Sequence, residues 1–138
     1  MSGSDGDHEV PLPAPHEHVD GALLLSFGEI HPGREAVAVE AFRSLARFFG
    51  RLLSEGEITE FKPYFFADGP LGDTLGFFLV EGRRERLDEL RRDEDFRRAH
   101  LRMGAASANV RVNTMAAGSE AGRLANLFGE VREELGLL

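Results

Sequence analysis

Cysteine is absent from all 138 residues, which removes disulfides, thiolate metal centres and cysteine nucleophiles together. Tryptophan is absent as well, Tyr64 is the single tyrosine and Lys62 the single lysine. The other 15 basic residues are arginine, a skew that reflects GC-rich coding more than a binding role. Long apolar runs are missing too. The strongest, 22–25 and 77–80, fall far short of the roughly 20 residues a membrane-spanning helix needs. Lys and Arg are missing from residues 1–20, which hold Asp5, Asp7, Glu9, Glu17 and Asp20 with three prolines and three histidines. That stretch has neither the basic start nor the apolar middle of a secretory signal, and reads as a disordered acidic tail of a cytoplasmic protein.

The formal charge is −8, but setting the five tail acids aside leaves 19 acidic against 16 basic residues. A remainder of about −3 argues against nucleic acid as a partner. The length suits one domain, which at this size buries roughly two thirds of the surface its unfolded chain exposes.

Periodicity then lays out the elements. Residues 22–30 (ALLLSFGEI) alternate as a strand, with Leu23, Leu25 and Phe27 on one face. Pro32 suits a helix's first turn, and a helix is expected over 34–54, with Ala38, Phe42, Leu45, Phe49 and Leu52 as its apolar stripe. Arg43, Arg47 and Arg51 form a solvent-facing row, and Gly56 is a stop. Residues 58–67 form a second strand, which Pro63 assigns to an edge or a bulge. The turn formers of 68–73 join it to a third strand over 75–81. Helical spacing returns after Gly82, breaks near Asp93, and restarts with Asp93 as N-cap ahead of Phe96, His100, Leu101 and Met103. Residues 109–117 make a fourth strand, and Ser119 is expected to cap a last helix carrying Leu124, Leu127, Phe128, Val131, Leu135 and Leu138.

This order predicts an α+β, ferredoxin-like βαββαβ domain over 21–138: a four-stranded antiparallel sheet, helices on one face, and an extra C-terminal helix. One helical layer leaves the other sheet face open. Leu24 and Ile30, with either Phe77 and Leu79 or Phe78 and Val80, make that face too apolar to stay bare, so a second subunit or the last helix should cover it.

From Gly21 to Gly118 the chain resembles the dimeric α/β barrel superfamily, in which two ferredoxin-like subunits pair sheet to sheet. The cues are the first strand and long helix, the hairpin, the DEDFRR segment at 93–98 and the strand ending in MAAG at 115–118. Members include cofactor-independent monooxygenases of antibiotic biosynthesis, haem-degrading relatives and stress-responsive proteins. The resemblance implies a homodimer that needs no cofactor and takes a small apolar ligand, or an enzyme acting on a small aromatic or polyketide-type substrate. No catalytic motif matches position by position, and the tryptophan seen in haem-degrading members is lacking.

Strand alternation puts Glu60, Lys62 and Tyr64 on one face of strand 2, and Arg111 and Asn113 on one face of strand 4. Tyr64 and Asn113 can hydrogen-bond a ligand while Arg111 holds an anionic group; cross-strand pairing or interface ion pairs account for the same pattern. His31 and His100 are the two histidines outside the first 20 residues and the candidate catalytic bases. His31 precedes a helix at the strand ends, whereas His100 shares a helix face with Phe96 and Met103; capping and core packing are the alternative roles. His16, His18 and Asp20 make too sparse a set for a metal site, and none is expected. The run 75–82 has the strand context of an RNA-recognition motif, but Leu75, Leu79 and Gly82 replace its basic and aromatic residues. The 68–73 loop lacks EF-hand spacing, and phosphate loops and serine elbows are absent.

Overall fold

A computed structural model describes residues 19–137; most of the expected acidic tail lies outside the described residues, as does Leu138. The elements are β1 (Gly21–Phe27), α1 (Glu35–Ser54), β2 (Glu60–Phe65), β3 (Gly76–Gly82), α2 (Arg84–Leu90), α3 (Glu94–Ala106), β4 (Arg111–Ala116) and α4 (Gly118–Glu134). All strand pairs are antiparallel, in the order β2-β3-β1-β4. The fold is ferredoxin-like, with an extra C-terminal helix.

Pairing β1 with β3 and β4 puts Leu23 beside Val80 and Leu25 beside Phe78 and Val112. Leu23, Leu25, Phe27, Phe78 and Val80 are all buried. Over them lies the apolar stripe of α1: Ala38, Ala41, Leu45, Phe48, Phe49 and Leu52. α3 adds Phe96, Ala99 and Met103. Aromatic rings knit the layer together, Phe49 stacking on Phe61 at 5.2 Å and meeting Phe96 edge-on at 6.0 Å.

Several terminators act as the residues dictate. Gly56 takes φ +75 just past α1, and Asp93 accepts hydrogen bonds from the backbone N–H groups of Asp95 and Phe96 at the start of α3. Pro63 lies on β2, an edge strand, where its missing donor costs least.

Two starts differ from the sequence reading. Pro32 is not in the first turn of α1: His31, Pro32, Gly33 and Arg34 form a β-turn closed by the Arg34 N–H donating to the His31 carbonyl at 2.9 Å. Gly33 sits at φ +80, the type II requirement at that position, so the helix starts only at Glu35. Ser119 does not cap α4; the N-cap is Ala117, without a side-chain bond, and Gly118 at φ +58 turns the chain into the helix.

α4 also fails to cover the sheet. None of its side chains is buried, and Leu124, Leu127, Phe128, Val131 and Leu135 stand 40–66% exposed in one stripe. Among the described residues no helix is long and apolar enough to cross a membrane.

Candidate functional site

The sheet face turned away from the helices is a grid fixed by the strand registers. One row reads Lys62, Leu79, Leu24, Asn113; the next reads Tyr64, Phe77, Ser26, Arg111; the one on the other side reads Glu60, Glu81, Ala22, Met115. Leu24, Phe77 and Leu79 make an apolar patch on the two central strands, and Lys62, Tyr64, Arg111 and Asn113 flank it on the edge strands. Tyr64 and Arg111 share a row but stand on opposite edge strands, about 14 Å apart at the usual strand spacing. Asn113 is two residues along β4 from Arg111. A single small group therefore cannot touch Tyr64 and Arg111 together, whereas a ligand lying across the row can.

Arg111 is already engaged. Its guanidinium donates two hydrogen bonds to Asp73, at 3.1 and 2.7 Å, in the fork geometry that suits a carboxylate. The bond to Arg111 holds the Asp73 carboxyl below its ordinary range. Both side chains are about half exposed, so the pair tethers the β2–β3 loop to β4 without excluding a competing anion.

His31 is exposed in the turn before α1. Its backbone N–H donates to the Ala106 carbonyl at 2.8 Å, which ties the turn to the end of α3. His100 lies six residues back along that helix, about 9 Å at 1.5 Å per residue, and its surroundings differ completely. Its ring stacks on Phe96, and Nε2 is sequestered without a hydrogen-bond partner among the described residues. Burial, and secondarily the charge of Arg91, push its pKa below the usual histidine value, so the imidazole is neutral near pH 7.

The His100 ring borders a narrow crevice between α3 and the sheet, whose walls include Leu25, Leu45, Phe78, Met103 and Val110. As it stands the crevice, about 10 Å³, has room for about one water molecule. The sequence placed His100 on the Phe96 and Met103 side of its helix but could not supply the opposite wall. Leu25 and Phe78 reach it through strand register, a long-range feature with no local signal. Among the described residues no group of three or more histidine, aspartate or glutamate side chains is placed to hold a metal ion.

No family model and no curated protein matches the sequence. Solved structures do match in fold. A conserved protein from Methanosarcina mazei Go1 superposes with a TM-score of 0.54 at 12% identity, covering 72% of this chain and 94% of that one. A dimeric ferredoxin-like protein of unknown function from Jannaschia sp. CCS1 superposes with a TM-score of 0.53 at 19% identity, covering 71% and 98%. At such identities the shared property is the ferredoxin-like fold.

Proposed function

We propose that this chain is a small-molecule-binding module that works as a homodimer of the dimeric α/β barrel kind, each subunit taking a small apolar ligand between α3 and the sheet. The observation that carries the binding role is the His100 Nε2, shut away from water with no partner beside an apolar crevice. A buried polar atom left unpaired costs free energy that a ligand hydroxyl or carbonyl would recover. The closed crevice must widen to admit such a ligand. Residues 91–93 separate α3 from α2 in the helical layer.

The dimer reading rests on the open sheet face, with Leu24, Phe77 and Leu79 on its central strands, and on the exposed α4 stripe. Both are apolar surfaces of the sort that monomers keep small. The dimeric Jannaschia protein supports the same assembly. Tyr64, Arg111 and Asn113 then lie at the edges of the paired sheets, where they can contact a ligand or the second subunit.

A monooxygenase-like enzyme is the second reading, and the neutral state of His100 favours it, because a neutral imidazole can take a proton from a phenolic substrate. His31 is the other base in that scheme, placed at the sheet end but in water.

Titration with 1-naphthol, an apolar body bearing one hydroxyl, tests the binding role. Binding should move the His100 imidazole resonances, and His100→Leu should abolish it. Oxygen uptake during the same titration separates the enzyme from the binder. Unmoved His100 resonances at saturating probe would count against the crevice as the site.

A further inference from the structure

We propose that a second site, on the outer side of the helical layer between α1 and α3, binds a small oligophosphate anion. Arg47 and Arg51 of α1 and Arg98 and Arg102 of α3 line one cleft of about 320 Å³, together with Phe48 and Asp95. Arg43 stands one turn before Arg47.

In sequence these are two separate rows at four-residue spacing, 43/47/51 and 98/102. The fold brings them face to face, since α1 and α3 pack side by side. Like charges four apart on a helix repel, and here three such spacings (43/47, 47/51, 98/102) gather on one surface of a chain whose formal charge is −8. Local acids do not neutralise them. Glu40 takes Arg47 at 2.9 Å and Glu94 takes Arg98 at 2.6 Å. Among the described residues, Arg43, Arg51 and Arg102 have no carboxylate at salt-bridge distance. Asp95 is the one acid among the cleft's lining residues; with Glu40, Glu94 and Arg43 at its margins the surface holds five guanidinium groups against three carboxylates.

The arginines also act on a common space. The Glu40 carboxyl is held below its ordinary range first by Arg47, and additionally by the charges of Arg43 and of Arg102 from the facing helix. Arg51 is fixed with its guanidinium 5.4 Å over the Phe48 ring, an arrangement that leaves its N–H edge free to donate.

The ligand class follows from this geometry. Arginine forks match the oxygens of phosphate, and uncommitted arginines on two different helices require a ligand with several anionic groups. Phe48 is buried and covered by Arg51, so the cleft offers no open aromatic face on which a base could stack. An inorganic or sugar-borne oligophosphate fits better than a nucleic acid.

Calorimetric titration of the full chain with sodium tripolyphosphate tests the site. One ion should bind per chain. The double variant Arg51→Gln, Arg102→Gln should weaken binding at least about tenfold, while Arg123→Gln with Arg132→Gln on α4 should change it less than about twofold. Raising salt from about 0.1 M to about 1 M, which shortens the Debye length from about 10 to about 3 Å, should weaken binding strongly. Orthophosphate should bind at least about tenfold more weakly. In the unaltered protein, chemical-shift changes should centre on α1 and α3, a readout independent of any variant. Absence of binding, equal losses in the two double variants, or shift changes spread over the whole surface would each overturn the proposal.

Discussion

Phe96 and His100, one turn apart on α3, lie with their ring planes within 10° of parallel and their centroids 6.0 Å apart. In this arrangement the imidazole Nε2 is buried away from solvent. The same enclosure that makes His100 the best-placed candidate for a ligand contact also makes it a source of acid sensitivity.

Burial lowers the folded-state pKa of His100 below its unfolded value of about 6.5. Below about pH 6.5 the unfolded chain therefore binds the proton more readily, and stability contributed by neutral His100 falls as pH drops through the folded pKa. Thermal melts from about pH 7.5 down to about pH 5.5 should show this loss. His100→Leu, which fills the same apolar space without a titrating group, should flatten that part of the profile. An equally steep fall in the variant would assign the effect to other groups. Acid loss from Glu40, Asp73 and Glu120, whose pKa values are lowered by their arginine partners, belongs to a separate and more acidic window.

Gly28 follows β1 directly, where three segments meet. Its N–H donates to the Ala108 carbonyl at 2.7 Å, and a Cβ there would come within 2.6 Å of the Asp73 carbonyl oxygen and 2.8 Å of that of Ala108. Both are backbone atoms, so neither can swing aside as a side chain tip would. Gly28→Ala should cost on the order of 1–3 kcal/mol by overpacking. Gly50→Ala, with nothing within 4 Å of its added methyl, should be neutral or mildly stabilising in its helix. Equal denaturation midpoints for the two variants would contradict the crowding at the β1 end.

Much of this architecture is legible in the chain itself. Leu23, Leu25 and Phe27 declare a strand face by alternation, Asp93 declares a cap, and Pro63 an edge, because each of these is a local property of the backbone. The starts of α1 and α4 are not so readable. Pro32 fits a helix's first turn and a type II turn equally well, and only the positive φ of Gly33 decides between them. Ser119 has the right chemistry for a cap, but Gly118 turns the chain one residue earlier. The candidate sites are still less legible. The walls of the His100 crevice come from β1, α1, β3, α3 and the segment before β4, and the arginine cleft exists only once α1 and α3 lie together. Pairings between distant segments leave no mark on local periodicity, so the isolated polar residues could be named but not assembled.

The proposed dimer places a second copy of this chain over the open sheet face. Multi-angle light scattering at micromolar concentration measures it directly, with the chain mass of 15.2 kDa as the yardstick. Particles of about twice that mass are expected, with a two-fold interface burying more than about 1,200 Å² in total, and a shift to single chains on Leu79→Arg, which puts a charge in the middle of the apolar patch. Particles of 15.2 kDa for the unaltered protein, or an undisturbed dimer in the Leu79→Arg variant, would contradict it.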